Sequence, residues 1–494
     1  MEEADVVVVG GGPAGSTVAT LVAKAGHRVI LLEKEFHPRH SVGESLLPAT
    51  IHGVCRLLGV WDQLHDAGFV RKRGGTFRWG KQEEPWTFSF AMATLGNADY
   101  AFQVERARFD EILLRNAQAN GVDVREGWRA LEGIPSEDGG LRGVIARAHE
   151  GEKVSIRARF VIDASGNSSR FASYAGKRIY SEFFRNVAVY GYYSGAKRVD
   201  PPNSGNIVTS AFRDGWCWFI PLSDELTSIG AVVDRRRAGA IAKDRVAALE
   251  SFAQEAPLVR DLLSGAKRVT DGMYGEVRTR KDWSYSNEQL HAPGLLLIGD
   301  AACFIDPVFS SGVHLATYGG VLAARTVNSI LRGTVTSEQA LSEFDRRYRR
   351  EFGLFYDFLV AFYDMEQEWD AYYWKARKVL ATDEQANHAF VRLVAGGASA
   401  SSDFFEKRGT VGAAFADMVQ QAADRDGEAG KLPESTDSDD YDIVRVNRER
   451  GREGRSLMTE DGNDTPLFDD GLVPAADGLS WRIPDARVAH ASSG

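Results

Sequence analysis

Cysteine is scarce in this chain. Its 494 residues hold three, Cys55, Cys217 and Cys303, with no CxxC pair and no even set. That excludes a disulfide framework, gives no sign of a metal site, and points to a reducing cytoplasm. No apolar run approaches the roughly 20 residues that a membrane span needs. No basic tail or stripe offsets the formal net charge of -10, which argues against a nucleic-acid partner. The start, Met1-Glu2-Glu3-Ala4-Asp5, is acidic and enters a strand at once, so no signal peptide is expected.

What is present suits a soluble intracellular enzyme of two or three regions: 44% hydrophobic residues, 26% charged residues and 50 glycines. Asp5 to Val9 is a β-branched run of the kind buried in parallel sheets. Pro13 to Lys24 predicts a helix ended by Gly26, and His27 to Leu32 predicts the strand that closes a βαβ unit. Arg159 to Ile162 and Gly294 to Ile298 predict further strands of a discontinuous nucleotide domain. Gly74 to Phe102 and Asn186 to Thr270 alternate aromatics and β-branched residues, which predicts an antiparallel sheet. From Ser337 the periodicity is helical, with Phe352, Phe355, Tyr356, Phe358, Phe362, Tyr363, Tyr372, Tyr373 and Trp374 read as packing residues. Gly396 to Ser402 reads as a flexible connection. After Asp424 the charged, glycine-punctuated chain predicts an extended or partly disordered tail that either hangs free or wraps the body.

Gly10-Gly11-Gly12-Pro13-Ala14-Gly15 fits GxGxxG between strand and helix, with Glu33 about 20 residues on at the end of the second strand. Glycines let the backbone approach a pyrophosphate at the positive helix end, and Glu33 suits ribose hydroxyls. This fingerprint does not separate NAD from FAD. Leu297 to His314 does: an apolar strand runs into Gly299-Asp300, whose carboxylate suits ribityl hydroxyls, then into a proline-turned loop. Asp163-Ala164-Ser165-Gly166 reads equally as a cofactor-side turn or an ordinary one. Ser310-Ser311-Gly312 offers successive N–H groups at a helix start, for an anion or simply as a cap.

On these motifs the chain resembles the flavin-dependent halogenases of the flavin monooxygenase superfamily over roughly residues 4 to 330. Val104 to Asp110 looks like that superfamily's VxRxxFD, and Gly215 to Pro221 matches the halogenase pattern WxWxIP through Trp216, Trp218, Ile220 and Pro221. Val42 to Pro48 and Asp282 to Tyr285 add to the likeness. The resemblance implies an α/β fold with a Rossmann-like FAD-binding domain (1–75, 103–185 and 271–336). It also implies a substrate-domain sheet (76–102 and 186–270), a helical C-terminal region (337–424) and the tail (425–494).

The resemblance further implies FAD, as FADH2, held by Gly10, Gly12, Pro13, Ala14, Gly15, Glu33, Arg39, Ser41, Arg106, Asp163, Gly299, Asp300, Pro307, Gly312 and Val313. Ser311 and Gly312 would hold chloride. A flavin C4a-hydroperoxide would convert chloride to hypohalous acid, and Lys72 would position or carry that oxidant in a separate pocket. From the residues alone Lys72 is one member of a basic turn, and a solvated charge is the plainer reading. Trp216 and Trp218, two apart on a strand, share a face, either walling flavin from substrate or packing a core.

Relatives that act on free tryptophan carry a glutamate where this chain has Phe309. Its absence points to an electron-rich phenol or pyrrole in natural-product biosynthesis, free or presented by an acyl or peptidyl carrier protein. Glu44 is read as cofactor-loop architecture rather than the missing acid. A separate flavin reductase would supply FADH2. The alternatives are a single-component FAD-dependent aromatic hydroxylase, a flavin reductase of isoprenoid double bonds, and a non-catalytic flavin-binding scaffold.

Overall fold

Val6, Val7, Val8 and Val9 are buried at the centre of a parallel sheet, which is why that run carries no polar alternation. In the computed structural model, which describes residues 2–79, 84–90, 99–364, 466–468 and 470–484, the strand Glu2–Val9 lies between Lys153–Asp163 and Val29–Glu33. Leu295–Leu297 extends the sheet on one side and Asp123–Glu126 on the other, all parallel. Helix α1 (Pro13–Lys24) follows the first strand, with Pro13 in its first turn, where a missing N–H costs nothing. Helix α2 (Arg106–Ala119) and the 22-residue helix α3 (Ser311–Arg332) complete the nucleotide-binding layer. Asn328 of α3 donates from Nδ2 to the Leu21 carbonyl of α1 at 3.4 Å.

The second sheet has the order 303–304, 278–287, 178–194, 226–234, 215–221, 207–212, 74–78 and 86–89. Its strands therefore reach beyond the expected 186–270, into 178–185, 278–287 and 303–304. One pairing departs from the antiparallel expectation: Ile207–Phe212 runs parallel to Gly74–Arg78, with seven strands between them in sequence. Short helices Ala238–Lys243, Arg245–Glu255 and Pro257–Leu262, all within 186–270, cover the outer face. There Cys217 and Phe219 pack with Leu249 and Phe252. The period of two turns Trp216, Trp218 and Ile220 the opposite way.

Helix α4 (Ser337–Asp364) realises the start of the helical region. Phe352, Phe355, Tyr356, Phe362 and Tyr363 on it are buried. Tyr372 to Trp374 and Gly396 to Ser402 lie outside the described residues.

Of the two readings of the tail, residues 470–484 follow the second and lie against the body. This stretch forms a small hairpin, pairing Val473–Pro474 with Trp481–Arg482, and docks on α3 and α4. Trp481 is 1% exposed; its backbone N–H donates to Ser329 Oγ at 2.7 Å and its indole N–H to Thr326 Oγ1 at 3.1 Å. Arg325 and Arg347 donate to the Gly478 and Leu472 carbonyls at 3.0 Å each. The charged composition conceals three apolar anchors, Leu472, Val473 and Trp481. Trp481→Ala should destabilise the protein by about 3–5 kcal/mol, the usual cost of truncating a buried tryptophan; chemical denaturation measures it. A loss under about 1 kcal/mol would mean that the hairpin is only laid on the surface.

Candidate active site

The parallel strands deliver their C-terminal ends to one crevice, the place where open α/β sheets bind ligands. A cleft of about 1290 Å³ opens there. Gly10, Gly12, Pro13, Ala14, Glu33, Arg39, Ser41, Arg106, Gly299, Asp300, Pro307, Gly312 and Val313 line it. Glu35, Trp128, Tyr190, Trp216, Trp218 and Ile220 line it as well.

The glycine turn is a close-packed cradle. A Cβ on Gly10, whose φ is +108°, would stand 2.3 Å from the Ala164 carbonyl oxygen, and one on Gly15 only 1.8 Å from the Gly10 carbonyl oxygen. Gly15 therefore shapes the turn from behind and does not itself line the cleft. Glu33 is buried; its Oε2 accepts from the Gly11 N–H at 2.7 Å and its Oε1 from the Glu35 N–H at 2.9 Å. Arg106, also expected at the cofactor, is engaged with protein. It donates to both oxygens of Asp110 at 2.7 and 3.0 Å and to the Val42 carbonyl at 2.6 Å, which pins the 42–45 loop along the cleft. Asp300 accepts from Arg280, and Gly299 donates its N–H to the Tyr348 hydroxyl at 2.9 Å.

Besides Gly15, the expected site residues Asp163, Ser311 and Pro221 are not among those that line the cleft. Asp163 is fully buried and its carboxylate is used locally: it accepts from Ser165 N–H and Oγ, Ser169 Oγ and Phe171 N–H. It fastens the loop whose residues 164–171 line the cleft, and so acts behind it. Ser311, the first residue of α3, is 1% exposed, whereas Ser310 and Gly312 line the cleft; what Ser311 was expected to offer an anion is its backbone N–H. Pro221 sits on the opposite strand face from Ile220 and does not reach the cleft.

Ser310 caps α3 with φ +59° and ψ +27°, an uncommon backbone for a non-glycine residue. The unpaired N–H groups of the first helical turn follow it, beside open space where a Gly312 Cβ would stand. Lys72 reaches this cap from the strand Val70–Lys72. It is 2% exposed and donates from Nζ to the Leu46 carbonyl at 3.0 Å and to Ser310 Oγ at 3.4 Å. Burial without a countercharge pushes its pKa down from 10.5 to about 7.

The tryptophans form a wall. Their ring centroids are 6.2 Å apart, and both rings line the cleft. Trp216 donates to the Tyr363 hydroxyl at 2.6 Å, and Tyr363 to Asp306 at 2.9 Å. Trp216 also meets Trp79 at 6.3 Å, so it joins the cleft to an aromatic cluster of Trp79, Phe77, Trp86 and Phe362. Phe309 packs into that cluster, 5.0 Å from Phe362. Trp218 lies over Gly230 of the next strand, where any Cβ would fall 2.2 Å from the indole. The sequence reading missed Gly230, Arg280, Tyr190 and Tyr192, which only the strand register brings here, and His40, which sits in the loop between Arg39 and Ser41.

The family model for tryptophan halogenases matches residues 5–97 and 91–421. The chain belongs to the flavin-dependent halogenases. Among its relatives are a tryptophan 2-halogenase of Chondromyces crocatus, 38% identical over 385 residues (76% of this chain, 70% of the relative), and a flavin-dependent halogenase, otaD, of Aspergillus carbonarius, 32% identical over 373 residues (72% and 74%). The structure of the myxobacterial chondrochloren halogenase CndH, an FAD-dependent halogenase, matches at TM-score 0.78 and 47% identity, covering 97% of this chain and all of that one. CmlS, a flavin-dependent halogenase, matches at 0.75 and 30% (98% and 84%).

The cradle fits FAD, on which this family depends: two glycine positions exclude any side chain, and two helix N-termini border the cleft. No helix among the described residues is long and apolar enough to cross a membrane, and no cluster of metal-ligating side chains occurs among them.

Proposed function

We propose that this halogenase uses FADH2 from a separate reductase to chlorinate an electron-rich aromatic ring, a phenol or pyrrole, in natural-product biosynthesis. The observation that carries the reading is Lys72: a buried lysine whose hydrogen-bond partner, Ser310, borders the cleft at the N-terminus of α3. Bound reduced FAD supplies the electrons with which oxygen turns chloride into an electrophilic chlorine species. The N–H groups after Ser310 attract the anion, and Trp216, Trp218 and Ile220 keep the ring away from the flavin. Lys72, held near neutrality between ammonium and amine, holds the oxidant by hydrogen bond or as a chloramine.

Phe309 supports the electron-rich substrate. Its ring packs in an apolar cluster where a carboxylate would be needed to assist an unactivated ring, so the substrate's own heteroatom supplies the push. A carrier-bound form of the ring is compatible with this reading. Residues 1–75, 103–185 and 271–336 serve as the FAD unit in it.

The test supplies reductase, FAD, oxygen and candidate phenols and pyrroles, free and carrier-loaded, with and without chloride. Mass spectrometry should show a chlorinated product that vanishes without chloride. A hydroxylated product formed without chloride, with NADPH oxidised by the isolated protein, would favour the hydroxylase alternative.

A further inference from the structure

Trp216 is held by more than packing. Its indole N–H donates to the Tyr363 hydroxyl at 2.6 Å, and both residues are buried. An indole N–H can only donate, so the tyrosine oxygen accepts there, and its own proton goes to Asp306 Oδ2 at 2.9 Å. Asp306 is itself buried and gathers three further groups. Its Oδ2 accepts from Asn186 Nδ2 at 3.3 Å, on the strand 178–194. Its Oδ1 accepts from the Val308 N–H at 3.1 Å and so starts the turn Pro307–Phe309. Its backbone N–H donates to Ser284 Oγ at 2.9 Å. The turn ends at Ser310, whose Oγ accepts from Lys72. One hydroxyl thus joins the tryptophan wall to the loop that starts α3.

We propose that Tyr363 is the positioning residue of the indole wall, a role that rests on the halogenating reading above. It fixes the Trp216 ring relative to Ser310 and Lys72, so that oxidant formed on the flavin side reaches the lysine side. Tyr363 belongs neither to Gly215–Pro221 nor to the loop Leu297–His314; it arrives from the last turn of α4. Tyr348, Tyr356 and Tyr363, spaced eight and seven residues apart, share one broad face of that helix. Tyr348 accepts from the Gly299 N–H at 2.9 Å, and the Tyr356 hydroxyl lies 3.0 Å from that of Ser181. Helix α4 therefore grips the cleft-side loop at Gly299 and Asp306 and the wall at Trp216.

The Tyr363 ring makes edge contacts with Trp79 at 5.4 Å and Phe184 at 5.3 Å. Tyr363→Phe keeps that packing and removes only the oxygen. The buried indole N–H then lacks its acceptor, and the ring turns to find another. Turnover leaks as a result. Reduced FAD and oxygen still become FAD, but the oxidising equivalents leave as hydrogen peroxide, or with chloride and a proton as hypochlorous acid and water, instead of forming a carbon–chlorine bond.

Fluorine NMR of the protein labelled with fluorotryptophan, without FAD or substrate, reads the ring directly, and Trp216→Phe identifies its resonance. In Tyr363→Phe that resonance should shift or split; an unmoved resonance overturns the proposal. In turnover, Tyr363→Phe should lower chlorinated product per oxygen consumed by on the order of 100-fold, the scale of a small misplacement remote from the chemistry. FAD affinity should stay within a few-fold of wild type. The loss must run through the indole. Trp216→Phe should lose a comparable amount, and adding Tyr363→Phe to it should change less than about 2-fold, as expected of one shared interaction. Losses that multiply in the double variant would make Tyr363 merely structural and overturn the proposal. Absence of chlorinated product from wild type would instead remove the halogenating reading, while the fluorine spectrum still reports on the hydrogen bond.

Discussion

Lys72→Ala should stop chlorination, by on the order of 10²–10³-fold, while FAD binding and peroxide release continue. The size is that of losing one preorganised donor in a site closed to water. Lys72 touches the Leu46 carbonyl and Ser310 and no residue of the glycine cradle, so the cofactor should not register its loss. The same substitution has a stability signature. A lysine at about 7 in the fold and 10.5 when unfolded binds more protons in the unfolded chain between those values. Stability therefore rises with pH through that window, and below it the buried ammonium is a standing cost. Lys72→Met, of similar length and apolar, should be more stable than wild type at neutral pH and should lose that slope. Urea denaturation at several pH values measures it. An inactive variant with wild-type pH dependence would show that the amine is solvated.

Gly15→Ala should weaken FAD binding at least about 100-fold, or about 2.7 kcal/mol. The added methyl would stand 1.8 Å from the Gly10 carbonyl oxygen and 3.3 Å from the Ala164 Cβ, neither of them the far end of a flexible side chain. The turn must open, and with it the aligned N–H groups of α1. Gly239→Ala, on a surface helix with nothing within 4 Å, is the control and should bind normally. Fluorescence titration of the apoprotein distinguishes the two, and equal affinities would separate the glycine turn from cofactor binding.

The parts of this fold legible in sequence were local. Val6 to Val9, Gly10 to Gly15 and Glu33 lie within one βαβ unit, where β-branching, a helix-starting proline and an acidic strand end each have a short-range cause. Lys72 carried a signal left unused: in Val70-Arg71-Lys72-Arg73 the strand period turns Lys72 away from its two exposed arginine neighbours. What stayed hidden depends on long-range register. Glu44 meets Tyr192 across 148 residues, and Trp218 needs Gly230 opposite it. Asp163 was misplaced for a related reason: a motif names the loop, and only packing decides which member faces the cleft. The Trp481 hairpin was obscured because a few apolar anchors suffice to dock a stretch whose average composition is polar.

The central claim is that oxidant is made beside the flavin and spent on the far side of the indole wall. A crystal structure of the protein with FAD and an accepted aromatic substrate tests it most directly. The account predicts the ring on the Lys72 side, with Trp216 and Trp218 between it and the isoalloxazine. A ring stacked on the isoalloxazine, with both indoles swung aside, would contradict it.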